Sequence, residues 1–156
     1  MNAIAECLWP QDVLLDVDVA DKNDLFQAIG RHMQREHGLA PNWVSLSLSR
    51  REQAASTGLG EGVAIPHARV EGLSRVHALY ARLKSPIPFD APDGSPVSHV
   101  LVLLVPYPAA EEHLALLAAA SQLFSDRRFR NRLEQCTHVH DVLRLFSDWP
   151  GLPAAT

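Results

Sequence analysis

The most informative stretch of the sequence is REQAASTGLGEGVAIPHA, residues 51–68. Three glycines alternate with other residues in it: Gly58, Gly60 and Gly62. They allow backbone conformations, or close approaches, that a Cβ would resist. Residues 63–65 are apolar and predict a short strand ending at Pro66, whose ring fixes φ and removes the N–H. We therefore expect His67 to start from a stiff backbone at a strand end.

Hydrophobic periodicity on both sides of this stretch predicts a mixed α/β fold. Apolar residues at helical spacing predict three helices, with the bounds 21–37, 111–124 and 139–146. Residues 44–49 alternate between apolar residues and serine as in a strand, but Asn42 and residues 50–55 favour a helix, so we predict a helix over 44–55. Runs rich in Val and Leu predict further strands over residues 13–19, 76–83 and 98–105. We expect a single domain over residues 1–150, with helices packed on a sheet that contains parallel and antiparallel strands. Dense Pro and Gly predict a loop over residues 85–96 and a flexible tail over 151–156.

Some of these elements carry more detailed expectations. Asp21 is placed to cap the first helix and Gly38 to end it, and Asn42 is placed to cap the second. The strand over residues 98–105 is apolar almost throughout, as expected of a strand covered on both faces. Two apolar stripes on the helix over residues 111–124 predict a central helix that is buried on more than one side.

Composition and charge exclude several classes of function. The 156 residues carry a formal net charge of -4 at pH 7, which leaves no basic surplus for nucleic-acid phosphates, so we expect no nucleic-acid partner. Residues 1–10 lack a basic segment followed by an apolar one, and the longest apolar run, 100–106, is too short to cross a bilayer. Cys7 and Cys136 lie far apart, which fits a reducing compartment. We expect a cytoplasmic protein with no disulfide and no membrane insertion.

Most of the eight histidines lie in contexts that predict structural roles. His32 and His37 fall at the end of a predicted helix, where a positive charge is favourable. His77 and His99 fall in predicted strands, and we expect them at the surface or at an edge. Cys136, His138 and His140 lie close together and form a candidate metal site. Its spacing lacks a second set of ligands, so we expect no metal.

The stretch over residues 51–68 resembles the active-site signature of the fructose/mannitol-type IIA phosphocarriers (EIIA type 2) of the bacterial phosphotransferase system. The residues in register are Glu52, Leu59, Gly60, Val63, Ala64, Ile65, Pro66, His67 and Ala68. The similarity extends over about residues 13–146, with Ala68 where many relatives have Gly. It implies the IIA fold and a phosphoryl group carried on His67, at Nε2, although the residues themselves do not distinguish the two ring nitrogens.

The resemblance also assigns roles to other residues. Arg51 matches a family arginine near the phosphohistidine, and a planar guanidinium suits phosphate oxygens. His113 falls where the family has a second active-site histidine, whose N–H would stabilise the phosphoryl group. The loop before His67 must border the phosphate, so its hydroxyls and N–H groups are candidate contacts, with turn hydrogen bonding as an equally good explanation. The loop candidates are Ser56, Thr57, Gly58 and Gly60.

Three functions remain open from the sequence. Residues 56–60, 86–97 and 103–106 look closer to the nitrogen-regulatory branch, and we favour a phosphotransferase component that regulates target proteins through its phosphorylation state. The resemblance implies an HPr-like phosphocarrier as donor, targets such as potassium-transport or sensor proteins, and no cofactor. One alternative is a sugar-transport IIA component that passes phosphate to a IIB domain. The other is a protein-binding module on the same fold that is never phosphorylated.

Overall fold

The computed structural model describes residues 2–108 and 110–150, so the predicted tail over 151–156 lies outside the described residues. None of the described helices has the length and apolar character needed to cross a membrane. In chain order the elements are α1 (Ala3–Cys7), β1 (Leu8–Val17), α2 (Lys22–His37), α3 (Pro41–Ala54), β2 (Gly58–Gly60), β3 (Val63–Ala64), β4 (His67–Val70), β5 (His77–Ile87), β6 (Val97–Pro106), α4 (Glu111–Ser125), α5 (Arg127–Gln135) and α6 (Val139–Asp148).

The six strands form one mixed sheet, as predicted. Its order is β1-β5-β6-β3-β2, and β4 also pairs with β6. The central strands β5 and β6 are antiparallel, whereas β1 runs parallel to β5 and both β3 and β4 run parallel to β6. The strand β2 is antiparallel to β3 and closes that edge.

Helices cover both faces of the sheet, and β6 shows this most clearly. Leu101 and Leu103 pack in a core formed with α1, α4, α5 and α6. Val100, Val102 and Leu104 point the other way, into a core formed with α2 and α3. All five side chains are fully buried, because alternate residues of a strand face opposite sides of the sheet. The prediction of a strand covered on both faces is therefore confirmed.

The helices α2 and α3 follow the predicted pattern with one exception. Asp21 caps α2 by accepting a hydrogen bond from the Asp24 N–H, and Gly38 ends it with φ +69°. The helix α3 begins one residue earlier than its predicted cap: Pro41 is its first residue, so Asn42 lies inside the helix and the predicted cap is wrong. Proline suits this position because the first N–H of a helix needs no intrahelical partner.

The prediction that α4 is buried on more than one side is wrong. Its buried residues lie on a single face and are Leu116, Ala119, Ala120, Leu123 and Phe124. Leu114, on the other side, is 67% exposed. The helix lies in an outer layer and needs only one apolar face, and Leu114 instead lies beside a surface pocket.

Two boundaries differ from the predicted ones because of tertiary contacts. The strand β5 runs to Ile87, which is buried and pairs with Val97, so residues 85–87 are not part of a loop. Pro86 is tolerated because the register of the pair shifts between Arg82 and Ile87. At the other end of the chain, β1 begins at Leu8 and follows the unpredicted helix α1, whose cap Asn2 donates to the Phe146 carbonyl at 2.7 Å.

Four histidines make structural contacts that the sequence did not predict. The Nε2 atoms of His32 and His37 donate to the buried carboxylate of Asp12 at 2.9 Å and 2.8 Å. His77 is buried, and its ring lies 4.7 Å from that of His37. His99 is also buried; it accepts from the Tyr80 hydroxyl at 2.7 Å and donates to a carboxylate oxygen of Glu134 at 3.0 Å. The prediction that His77 and His99 lie at the surface or an edge is therefore wrong.

The burial of His77 predicts a loss of stability in acid. Burial, together with the positive charge of Arg75, lowers the pKa of His77 from 6.5 to about 4. Between these values the unfolded chain takes up a proton that the folded protein does not, so the folded state becomes less favoured as the pH falls through this window. Urea unfolding at a series of pH values should show a steeper fall in the wild type than in His77→Gln. Equal pH dependence of the two proteins would contradict this assignment.

Candidate active site

The strand pairing places His67 at the start of β4. The same offset of 36 residues separates Val63 from His99 and His67 from Leu103, so β3 and β4 follow β6 in one register on either side of Pro66. The Pro66 carbonyl keeps this register by accepting from the Leu103 N–H at 3.0 Å. Pro66 has no N–H to donate and divides the two short strands. The strand predicted over residues 63–65 is confirmed with β3 at Val63–Ala64.

Hydrogen bonds to both ring nitrogens fix the tautomer of His67. Nδ1 lies 2.9 Å from the carbonyl oxygen of Ile65. A carbonyl only accepts, so Nδ1 carries the proton. Arg51 Nε–H donates to His67 Nε2 at 3.2 Å, which requires a lone pair on Nε2. Nε2 is therefore the nucleophilic nitrogen in this arrangement.

The pKa of His67 is lowered from its usual value of 6.5. Burial has the largest effect, because a half-buried imidazole loses hydration when it is charged. The hydrogen bond to Ile65 opposes this change, while the positive charge of Arg51 adds to it and the negative charge of Glu52 opposes it. The result is an imidazole that is neutral at pH 7 and keeps its lone pair.

Arg51 and Glu52 are neighbours on helix α3 and have different roles. Glu52 follows Val44 and Leu48 along the buried face of the helix, and its carboxylate accepts from the backbone N–H and the hydroxyl of Thr57 at 3.0 Å and 2.5 Å. Lys22 Nζ lies 2.9 Å from the same carboxylate. The next-door Arg51, about 100° around the helix, faces His67 instead and donates from Nη1 to the Ala55 carbonyl at 2.8 Å.

A surface pocket of about 390 Å³ joins His67 to two other predicted site residues. Arg51 and His113 line it together with His67, as do apolar side chains from β6 and α4. The Ala110 N–H donates to His113 Nδ1 at 3.3 Å, so the proton of this imidazole lies on Nε2, where it is a donor. The pocket thus contains one nucleophilic nitrogen, a guanidinium and a second imidazole with a donor N–H.

The four loop candidates do not line this pocket. The Ser56 hydroxyl donates to the Phe89 carbonyl at 2.5 Å, and the N–H and hydroxyl of Thr57 are taken up by Glu52. A Cβ on Gly58 would meet Ala91 at 3.0 Å, and Gly60 has φ +94°, as expected of the glycines. These contacts shape and anchor the loop, as the turn-bonding explanation expects, and contact with phosphate stays a prediction for these residues.

Two charged residues of the pocket were not found from the sequence. Arg69 lies two residues after His67 on β4, and Glu111 is the first residue of α4. The signal for Arg69 is the alternation of β4, which was not predicted as a strand. Among the described residues, no group of three or more His, Cys, Asp or Glu side chains is arranged to hold a metal ion.

The fold and the histidine-centred pocket agree with a family assignment. The chain belongs to the family described as "Phosphoenolpyruvate-dependent sugar phosphotransferase system, EIIA 2", whose model matches residues 6–149. The match confirms the resemblance seen around His67. The family's activity is group transfer, and the chain is a phosphotransferase component of this system.

Within this family, the chain is similar to proteins of the nitrogen-regulatory branch. The chain is similar to the nitrogen regulatory protein of Pseudomonas aeruginosa, with 32% identity over 149 residues that cover 95% of this chain and 97% of the relative. It is also similar to the crystal structure of nitrogen regulatory protein IIA-Ntr from Neisseria meningitidis, with a TM-score of 0.86 and 39% identity over 91% of this chain and 97% of that one. These relatives confirm the predicted nitrogen-regulatory resemblance.

A more distant structure supports the fold alone. The mannitol IIA of Escherichia coli superposes with a TM-score of 0.72 at 19% identity, covering 88% of this chain and 96% of that chain. The predicted fructose/mannitol-type IIA fold is thereby confirmed.

Two neighbouring charges should move the His67 pKa in opposite directions. Arg51→Ala removes a positive charge and should raise this pKa, whereas Glu52→Gln removes a negative charge and should lower it. NMR titration of the His67 ring carbons in the wild type and both variants measures the three midpoints, with the wild type expected below 6.5. Shifts of the same sign in both variants would contradict the electrostatic account.

Proposed function

We propose that the protein is a phosphohistidine carrier that accepts a phosphoryl group on His67 Nε2 from an HPr-like phosphocarrier and regulates target proteins through its phosphorylation state. The observation that carries the proposal is the unprotonated Nε2, because the Ile65 carbonyl holds the ring proton on Nδ1. This nitrogen faces a pocket that also contains Arg51 and His113. No separate base is needed, because a neutral imidazole is already a nucleophile.

The transfer needs no further reactant. The Nε2 lone pair of His67 forms the new N–P bond while the N–P bond to the donor imidazole breaks, and the donor nitrogen leaves with that electron pair. The group that moves is PO₃⁻, and His67 keeps its Nδ1 proton throughout. The Ile65 carbonyl, 2.9 Å from Nδ1, stabilises the positive charge that develops on the ring.

The phosphorylated histidine requires hydrogen-bond donors around it, because the phosphoryl group carries about -1.5 to -2 units of charge. Phosphorylation uses the Nε2 lone pair that accepts from Arg51, so the guanidinium must release the nitrogen and becomes available to the phosphoryl oxygens. His113 offers its Nε2–H from the other side of the pocket. These two side chains stabilise the charge that the transfer brings in.

Regulation is favoured over sugar transport by the names of the relatives. The similar proteins of Pseudomonas aeruginosa and Neisseria meningitidis are nitrogen regulatory proteins, and both match this chain over most of its length. A pocket with apolar and charged walls changes its charge sharply on phosphorylation, and a partner that docks there can distinguish the two forms.

Phosphorylation of His67 is tested directly by labelling. The protein is incubated with phosphoenolpyruvate, the first enzyme of the phosphotransferase cascade and its small carrier, and intact mass spectrometry should show one acid-labile phosphate. His67→Ala should take up none, and His140→Ala, which alters an exposed histidine on α6, should label like the wild type. An unlabelled wild type would favour a binding module that is never phosphorylated, and a labelled His67→Ala would place the phosphate elsewhere.

The same labelled protein separates regulation from transport. It is mixed with purified sugar-specific IIB domains, and the regulatory proposal expects the phosphate to stay on His67. Rapid passage to one IIB domain would replace that part of the proposal with the transport alternative. A pull-down that compares wild type with His67→Ala under phosphorylating conditions then identifies proteins that bind one form only.

Loss of either side chain that donates hydrogen bonds to the phosphoryl group should slow the transfer without unfolding the protein. Arg51→Ala and His113→Ala each remove a group that binds developing charge, and the expected loss is about tenfold to a thousandfold in rate. Rapid quench with the phosphorylated carrier measures the rate constants. Arg35→Ala and His140→Ala are the matched controls because both residues are exposed and neither lines the pocket. Unchanged rates in both test variants would refute these roles.

A further inference from the structure

We propose that Arg69 is a second guanidinium that binds the phosphoryl group as it reaches His67. This inference rests on the proposed function, since it assigns a ligand of the group that His67 accepts. The motif around His67 did not single out Arg69, and its position follows from the strand β4.

Strand geometry directs Arg69 to the same side of the sheet as His67. Alternate residues of a strand face opposite sides, and residues two apart lie roughly 7 Å from each other along it. Ala68 and Val70 are buried in the core shared with α2 and α3. His67 and Arg69 therefore face the other way, and both belong to the lining of the pocket, which also includes Ala68.

The partner strand provides an independent check of this direction. In the parallel pairing of β4 with β6, His67 lies opposite Leu103 and Arg69 opposite Val105. Leu103 and Val105 also line the pocket. The floor of the pocket is thus a two-by-two array of residues, in which His67 and Arg69 are neighbouring positions on the same face of β4.

Arg51 and the single N–H of His113 leave much of the incoming charge without a partner. One of its terminal nitrogens, Nη1, is held by the Ala55 carbonyl at 2.8 Å, so only part of its donor set can turn to the phosphoryl oxygens. The carboxylate of Glu111 lines the same pocket and repels a phosphoryl group. With three oxygens and about -1.5 to -2 units of charge to hold, the site favours a second cation.

Arg69 has donors available for this task. Within the described part of the chain, its guanidinium forms no hydrogen bond and no ion pair, and the residue is exposed. A guanidinium has five N–H donors in a planar arrangement that matches two oxygens of a phosphoryl group.

The test measures phosphoryl transfer in Arg69→Ala, Arg69→Lys and the control Arg35→Ala. With the phosphorylated carrier as donor, we expect Arg69→Ala to lower the transfer rate constant on the order of tenfold to a hundredfold, Arg69→Lys to lose less, and Arg35→Ala to match the wild type. Thermal melting should be unchanged, because Arg69 is exposed.

A small phosphoryl donor separates phosphate binding from protein docking. Phosphoramidate carries the phosphoryl group without a protein surface, so Arg69→Ala should slow labelling by this reagent as well. Slowing with the protein donor alone would overturn the proposal, because Arg69 would then contact the donor protein and not the phosphoryl group. A wild type that labels and an Arg69→Ala that labels equally fast would also overturn it, leaving the proposed function intact. A wild type that takes no label would overturn both.

Discussion

The parallel pairing of β4 with β6 is the constraint on which the candidate site depends. It places His67 opposite Leu103, at the point where Pro66 separates two short strands that share one register. The ring cannot turn freely there, because Nδ1 is bonded to the Ile65 carbonyl in the same segment. A strand end with a fixed φ presents the side chain, and a backbone carbonyl selects its tautomer. The chemistry of the imidazole is therefore set by backbone geometry before any charged neighbour acts on it.

Electrostatics then refine what the backbone has arranged. Arg51 and Glu52 are adjacent in sequence, yet helix geometry sends one to the pocket and the other to a buried position where it holds Thr57 and Lys22. The buried carboxylate keeps the glycine loop in place, and the loop leads directly into β3. Burial of the imidazole and the positive charge of Arg51 keep His67 neutral. The last turn of α3 thus positions residues that contact both His67 and the loop leading to it.

Much of this arrangement was predictable because it depends on local patterns. The periodicity of α2 and its two end signals, Asp21 and Gly38, needs no knowledge of distant residues, and the apolar run of β6 indicates burial on both faces. Arg51, His67 and His113 were found because a long motif resembles a known family. The exposed side of α4 was misjudged, since Leu114 is apolar for a reason that lies in the pocket and not in the core. His77 and His99 were misjudged because the residues that they contact lie on other elements: His37 packs against His77, and Tyr80 and Glu134 bond His99.

The sequence by itself determined the order of most elements, the mixed α/β class and the identity of the histidine that carries the proposed chemistry. Those features follow from residue spacing, turn chemistry and a long contiguous motif, all of which are local. The tertiary structure alone decided that Nε2 is the unprotonated nitrogen, that Ser56 and Thr57 anchor the loop, and that Arg69 faces the pocket. The first depends on the orientation of the His67 ring, the second on the contacts of the loop with Glu52 and Phe89, and the third on a short strand without its own signal. A hydrogen bond or a strand register exists only when the two segments meet.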